Sequence, residues 1–590
     1  MKILGLTTMG SSSASLVIDG VVVVAIEEER LSRLKNDGGF PYKSIEYCLS
    51  AANLNIQDIE IVAVYWQPWR IHGRIYQMLM SALKDPKNII NNFSRGVEAV
   101  FGKNDKGLNS YPELRGSWID LFRVRSHIKR KFGNFNGDVK YYDHHKCHVS
   151  SIYHITDFED SICLSYDGGG ETESTVVYAI ENGSFEKMMS VNWPNSLGHF
   201  YSSFTGFLGF RMLEGEYKMM GLSPYGTPRF KNIILDNILI KMPNGGYFLD
   251  TKILNYHSAL KGVFSESIKN LLGEARNPED DFTEHHEDVA ASVQAAYEDI
   301  LMHILSWVRE QKPNIKNLCI AGGCGLNVSA NGKIVMNNIF NKVVIPPAPH
   351  DAGCSIGAAF LAEKEVNLDN TLSMPSPYLG RSYSNSQIVK VFEKKGLPTP
   401  RYYKKKDLIF EVVSVLIEGG VVAWFQGGSE FGPRALGNRS FLADPRFDTI
   451  REVINQKIKK RELFRPFAPS CKEEVMGDFF DISQNSPYMN VVAKVREDKK
   501  LIIPAVTHVD GTARVHTVSK KVNPLYWELL DNFESKTGVG VLLNTSFNIQ
   551  EPIVESPEHA IDCFLKSSVD CLAIGSFICN DDWRKQVDLL

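Results

Sequence analysis

No stretch of this 590-residue chain approaches the roughly 18 consecutive apolar residues that a membrane-spanning helix needs. The ten cysteines, scattered from Cys48 to Cys579, include no CxxC pair, so neither a zinc ribbon nor a disulfide framework is indicated. Reduced, buried thiols in a cytoplasmic protein are the expectation. Charge of one sign is also lacking: 65 Lys and Arg against 69 Asp and Glu leave a formal −4, too balanced for a coat on nucleic acid or an anionic membrane. There is no low-complexity tract and no short-period repeat. The opening MKILGLTTMG has one lysine and a short apolar stretch that runs into a Gly/Ser turn, which is not a signal-peptide pattern. What is present is ordinary for a folded protein: 43% hydrophobic and 23% charged residues. At about 150 residues per domain, the length calls for three or four units or two large ones.

The order of residue types supplies the elements. KILGLTT is apolar and β-capable, GSSS interrupts it, and ASLVIDGVVVVAIEEER resumes with Asp19 and Gly20 as hairpin punctuation. The design returns at DSICLSYDGGGETESTVVYAIENG: an apolar run, an aspartate, three glycines, and a second run rich in Thr and Val. Two hairpins with small or acidic tips suit a duplicated fold that grips a phosphate from two sides. Over 285–311, Val289, Val293, Ala296, Ile300, Ile304 and Trp307 recur at helical steps of three and four. NLCIAGGCGLNVSANGKI and KVVIPPAPHDAGCSIGAAFLAEKE each read as strand, small-residue turn and helix. The polar stretch 365–385, punctuated by Pro, Gly and Ser, reads as a linker; an amphipathic helix over 407–418 and a strand, VVAWFQ, follow it. The expected fold is α/β in two parts, 1–375 and 376–590.

Three groups of residues carry candidate chemistry. In DHHKCHVSS, His144 and His148 are four apart and share one helix face, while His145 falls on another. Asp167, after an apolar strand, and Asp351, in a turn before a small-residue helix, would add two ligands. Two imidazoles with two carboxylates favour Fe(II), Zn(II) or Mn(II) over Mg(II), although an HxxxH pair by itself is usually structural or incidental. The glycines of DGGGETEST (Gly168, Gly169) and AGGCGLN (Gly322, Gly323) would let backbone approach a nucleotide; such turns are also common without one. In the C-terminal part, EFGPRALGNRS carries Arg434 and Arg439, KKRELFRPFAPS carries Arg461 and Arg465, and HVDGTARVHTV carries Arg514. LLNTSFN adds Asn544, Thr545, Ser546 and Asn548 as candidate nucleotide contacts. Guanidiniums beside hydroxyl and amide donors in turns bind polyanions such as triphosphate or acyl phosphate; a solvated, salt-bridged surface is the alternative for any single arginine.

GLTT, SLGHFYSSFTGFLGF, LEGEYKMMGLSPYG, GGCGLNVSANGK, PPAPHDAGCSIGAA, EFGPRALGNRS, FRPFAPS, DGTARVHTV and NTSFN follow one another nearly end to end. On these motifs the chain resembles the O-carbamoyltransferases of natural-product and nodulation-factor biosynthesis, the NodU/CmcH family. The resemblance implies a duplicated actin/Hsp70-like (ASKHA) domain over 1–375 and a YrdC-like α/β domain over 376–590. It implies that the second domain converts carbamoyl phosphate and ATP, with Mg(II), into carbamoyl adenylate. The first domain would then move the carbamoyl group to a hydroxyl of a small natural product or sugar. By the family motif His144, His148, Asp167 and Asp351 hold iron, and Gly322, Gly323 and Asn327 line the adenosine site. Arg434, Arg439, Arg465 and Arg514 would neutralise phosphate charge, and Lys218, in GEYK, would stand near the phosphate or the acceptor.

One departure stands out. The family has a His-Asp pair in its first hairpin, in a pattern like HDxSAALV; here MGSSSASLV places Gly10 and Ser11 there. That histidine is the family's candidate general base. His199, in SLGHFYSS, occupies a spot that is usually apolar in the family and is the candidate to take over. Two other readings stay open. One is carbamoylation of a non-hydroxyl acceptor, as in hydrogenase maturation, which normally brings an acylphosphatase domain and CxxC pairs not visible here. The other is a degenerate ATP-binding sensor. No short motif selects the acceptor. Trp66, Trp69 and Trp118, in the segment 66–135, either shape its pocket or cover the core. A homodimer is the default assembly.

Overall fold

Residues 1–73, 76, 116–256 and 264–588 are described by the structure, a computed structural model. The chain forms two units, one of Met1–Glu28 and Asn36–Pro375, the other of Glu29–Lys35 and Ser376–Leu590.

Two five-stranded sheets in the first unit share one topology. β1 (Lys2–Thr7), β2 (Ser13–Ile18) and β3 (Val21–Glu27) form an antiparallel meander. β4 (Ile61–Val64) and β5 (Asp138–Tyr141) extend it in parallel beyond β1, in the order β3-β2-β1-β4-β5. The second sheet repeats this with β6 (Ser161–Tyr166), β7 (Glu173–Glu181) and β8 (Ser184–Asn192) as the meander. A small hairpin of β9 (Leu239–Lys241) and β10 (Tyr247–Leu249) follows. Then β11 (Asn317–Ala321) and β12 (Lys342–Val344) add in parallel, giving β8-β7-β6-β11-β12. A meander extended by two parallel strands, present twice, is the duplicated actin/Hsp70-like (ASKHA) architecture expected from the sequence. The β2–β3 connection is the two-residue turn that Asp19 and Gly20 predict, both at positive φ (48° and 81°), matching the twist of the strands.

The last strand of each sheet leads into a helix, His144–Tyr153 after β5 and Cys354–Val366 after β12, and these two helices pack together. Their approach is close: a Cβ on Gly357 would lie 1.8 Å from the Cys147 carbonyl oxygen. The small residues of GCSIGAA therefore set the spacing on which the site depends. The long helix Glu284–Gln311 buries Val289, Val293, Ala296, Ile300 and Ile304, as their periodicity requires.

In the second unit ten strands form one mixed sheet. They are β13 (Arg401–Tyr402), β14 (Val422–Phe425), β15 (Arg439–Ala443), β16 (Ala468–Lys472), β17 (Phe480–Asp481), β18 (Val491–Val495), β19 (Thr512–Val518), β20 (Val541–Ser546), β21 (Cys571–Ile574) and β22 (Phe577–Cys579). Their order is β13-β22-β21-β14-β15-β20-β16-β19-β18-β17. β14 alternates between two cores. Val422 and Trp424 pack with the helices Lys405–Ile417 and Pro524–Thr537, while Ala423 and Phe425 pack with Asn385–Lys394 and Pro557–Lys566. This is why VVAWFQ reads as a continuous apolar run, since both of its faces are covered. Among the described residues no helix is long and apolar enough to cross a membrane, and all ten cysteines are free thiols.

Candidate functional site

In the first unit the tip between β6 and β7 (167–172) meets the start of the helix His144–Tyr153. The tip between β1 and β2 (8–12) meets the turn Asp351–Gly353. Each tip is thus met by the helical segment that leaves the other sheet. Asp143 caps the histidine helix, accepting from Lys146 N–H at 3.0 Å, and Glu171 accepts the His144 N–H at 3.2 Å. This anchoring turns His144 and His148 toward the two aspartates. His144 Nε2 lies 2.7 Å from Asp167 Oδ2; His148 Nε2 lies 3.2 Å from the same oxygen and 3.6 Å from Asp351 Oδ1. The four side chains bring one ligand atom each within 4.8 Å of one another. His145 faces elsewhere, as the helical period demands, bonded to Ser165 Oγ at 2.8 Å and donating to the Glu173 carbonyl at 3.0 Å.

Burial opposes the charge of His148, yet Asp167 and Asp351 outweigh it and push its pKa up to about 9. Burial likewise opposes ionisation of the two aspartates, but the imidazoles hold both below the usual carboxylate range. His148 Nε2 and Asp167 Oδ1 are buried without a hydrogen-bond partner, and a cation among the four groups would satisfy both. Two imidazoles and two carboxylates also make a donor set suited to a first-row divalent ion. Two neighbours carried no signal in the sequence. The Cys354 thiol stands within the same 4.8 Å of both imidazoles, and Glu171 joins the capping. Gly10 closes on Asp351, where a Cβ would lie 2.5 Å from Oδ2, so the missing side chain is what lets this carboxylate reach the tip.

The glycines gather around Asp167. His199 Nε2 sits 3.6 Å from where a Cβ on Gly168 would be, with its ring stacked on Tyr256 at 4.5 Å. Gly169 takes a φ of 143°, and a Cβ on Gly323 would lie 3.9 Å from the Asp167 Cβ. Gly322 has φ 94°, and a Cβ there would strike the Tyr166 carbonyl at 2.1 Å. Asn327 is committed to the fold: it caps the helix Val328–Met336 through Ala330 N–H at 3.0 Å and exchanges two 3.1 Å hydrogen bonds with Gln294. Lys218, on the helix Glu216–Leu222, holds Nζ 5.7 Å above the Phe210 ring. Trp66 meets His144 edge-on at 5.0 Å and Trp118 at 4.6 Å, whereas Trp69 is exposed against Tyr141. Much of the segment 66–135, at 74–75 and 77–115, lies outside the described residues.

In the second unit like charges gather. A π-helical turn, Val453–Ile458, delivers Lys459 into the interior, where Nζ donates to Ser546 O (2.5 Å), Ser546 Oγ (3.1 Å) and Asn548 Oδ1 (3.0 Å). Burial, with Arg461 and Arg465 nearby, draws its pKa well below that of an ordinary lysine. Arg434 is lowered to about 10 by burial and by Arg465. Arg514 is also held well below an ordinary arginine, by burial and then by Arg434, Arg461 and Arg465. The structure thus brings Arg434, Arg465 and Arg514 together with Arg461, and adds Lys459, which the sequence did not single out. Asn544 works behind this cluster, donating to Ala435 O (3.1 Å) and Ser470 Oγ (2.9 Å), while Thr545 follows it along β20. Arg439 differs. It is fully buried, its guanidinium donates to the carbonyls of Gln426, Asn438, Arg381 and Gly427, and it stacks on Phe425 at 3.7 Å. These contacts tie the guanidinium into the surrounding turns.

Residues 2–360 match the family model described as carbamoyltransferase N-terminus, and 413–581 match carbamoyltransferase C-terminus. Nodulation protein NolNO of Sinorhizobium fredii is 34% identical over 98% of this chain and 81% of its own. The 3'-hydroxymethylcephem-O-carbamoyltransferase of Amycolatopsis lactamdurans is 40% identical over 41% of this chain and 44% of its own. Among solved structures, HypF of T. kodakarensis aligns with 62% of this chain and 48% of its own at a TM-score of 0.31 and 11% identity. Two family models spanning both units, with a relative matched almost end to end, make this protein a member of the carbamoyltransferase family, of the NodU/CmcH O-carbamoyltransferase type.

Proposed function

We propose that the protein is an ATP-dependent O-carbamoyltransferase whose second unit makes carbamoyl adenylate and whose first unit transfers the carbamoyl group to a hydroxyl of a small natural product or sugar. The observation that carries this reading is the convergence of five cationic side chains, buried Lys459 with half-buried Arg434, Arg461, Arg465 and Arg514, a concentration of like charge that suits a polyanion. Water first splits carbamoyl phosphate into carbamate and phosphate. A carbamate oxygen then forms a bond to the α-phosphorus of ATP as the bond to pyrophosphate breaks. The cationic cluster stabilises the negative charge of both reacting phosphates without having to reorganise. In the transfer step the acceptor oxygen bonds to the carbamoyl carbon, AMP departs, and the hydroxyl proton passes to a base. His199, beside Gly168, is the candidate for that base. His144, His148, Asp167 and Asp351 are the residues that would hold a divalent ion, iron by family resemblance. Such an ion supplies Lewis acidity at the transferring group. The glycine turns around Asp167 are the candidate nucleotide site, and Trp66 and Trp118, beside His144, are the candidates to shape the acceptor pocket.

The test separates the two units. Pyrophosphate release from ATP should depend on carbamoyl phosphate. Arg514→Ala should abolish that release, and His144→Ala should leave it largely intact while stopping transfer. Exchanged phenotypes would overturn the division of labour, and release indifferent to carbamoyl phosphate would overturn the reaction. A degenerate ATP sensor predicts no release at all.

A further inference from the structure

The segment Glu29–Lys35 belongs to the second unit although the sequence places it just after β3 of the first. It begins in the short helix Glu28–Ser32, which Arg33 ends in the left-handed region at φ 64°. Glycine or asparagine is the usual residue in that conformation, so a long cationic side chain kept there needs a reason. Its contacts supply one. Arg33 donates from Nη1 to Ile553 O at 2.7 Å and from Nη2 to Pro552 O at 2.5 Å. Arg30, 1% exposed, donates from Nη2 to Gly432 O at 2.5 Å. The three acceptors belong to two loops that carry the cationic cluster. Gly432 lies two residues before Arg434. The stretch leading to Pro552 and Ile553 holds Ser546 and Asn548, which position Lys459, and it is laced together by Asn548 Nδ2 donating to Glu551 O at 2.6 Å. The same short segment therefore grips both walls of the cationic cluster through forked, charge-assisted hydrogen bonds.

We propose that Arg30 and Arg33 are positioning residues of the phosphate-binding site: a strap from the amino-terminal part of the chain completes the anion site of the second unit. Neither guanidinium needs to touch the phosphates. Each holds a loop so that Arg434 on one side, and Lys459 with its Ser546 and Asn548 supports on the other, are aimed together. It follows that residues 376–590 alone do not contain the whole phosphate-binding machinery. The inference deepens the function proposed above and rests on it only for the identity of the anion.

The test uses the full chain and inorganic pyrophosphate as the probe, measured by titration calorimetry at a temperature where each variant is folded by circular dichroism. Arg33→Ala is expected to weaken pyrophosphate binding about tenfold, the cost of about one charge-assisted hydrogen bond. Free guanidinium ion should recover part of that affinity, and Arg33→Lys should fall between the two. Arg30→Met should give a loss of similar size. Affinity within twofold of the parent in folded Arg33→Ala overturns the proposal, as does a loss that neither guanidinium nor lysine relieves, because that pattern marks a purely structural contact. A parent chain that does not bind pyrophosphate overturns it too. If pyrophosphate binds and the Arg33 effect is present, but no carbamoyl phosphate-dependent release occurs, the strap stands and the proposed reaction falls.

Discussion

At the hairpin tips of the first unit two imidazoles face two carboxylates. In the second unit Arg434, Arg461, Arg465, Arg514 and Lys459 crowd together, with Glu462 3.9 Å from Arg465. The electrostatic consequences are opposite. Opposite charges each favour the partner's ionised form, so His148 is pushed up and Asp167 and Asp351 are held down. In the second unit burial penalises the charged form and like charges add to that penalty, so Arg434, Arg514 and Lys459 are all drawn down. The first arrangement is nearly satisfied by itself and has room for one cation. The second concentrates positive charge, and under the proposed function that charge is what an anion would meet.

His148→Ala should break the comparison most severely. Removing one of four ligands is expected to lower metal affinity by at least about 100-fold, more than the loss of an outer partner costs. Metal content by elemental analysis should fall toward zero while carbamoyl phosphate-dependent pyrophosphate release stays within a few fold.

Lys459→Met probes the other side. Pyrophosphate affinity should fall by about tenfold or more with the loss of a buried charge-assisted contact. Because the folded pKa of Lys459 lies below the unfolded value, the unfolded chain binds more protons between the two, and stability rises with pH across that window up to about pH 10. The methionine variant should flatten that rise in denaturant titrations. A slope identical to the parent's would show that Lys459 is not under strain.

Gly10→Ala sharpens the first site. The new Cβ must displace the Asp351 carboxylate, 2.5 Å away, and metal affinity is expected to drop about tenfold with no change in pyrophosphate binding. His199→Ala should disturb the comparison between the two clusters least, because His199 belongs to neither. Transfer should slow by about tenfold or more, as for a lost general base, while metal content and pyrophosphate release hold. An unchanged pH profile of transfer would remove His199 from the role of base.

Much of this was legible in the residues. The Asp19-Gly20 turn, the helix expected over 285–311 and found as Glu284–Gln311, and the helix expected over 407–418 and found as Lys405–Ile417 follow from local rules of φ and periodicity. The shared face of His144 and His148 follows from helical geometry in the same way. Other features were not legible. Arg434 and Arg439 sit five residues apart in EFGPRALGNRS, and nothing local says that one guanidinium, at the start of β15, donates to four carbonyls while the other joins a cationic cluster. Lys459 looks like a surface lysine in a basic run until the π-helical turn places it inside. Cys354 reads as one small residue in a helix start, yet it stands beside both imidazoles.

The residues alone determined the elements, the i, i+4 pair and the positions of the glycine turns, because those depend on backbone sterics and on neighbours within a few residues. Tertiary structure alone decided that Asp167 and Asp351, 184 positions apart, face the same two histidines. It also decided that Glu29–Lys35 joins the second unit and that Gly10 makes way for a carboxylate. These are meetings of distant segments, and they are settled by how closely helices and loops can pack, a property of the whole chain that no short window contains.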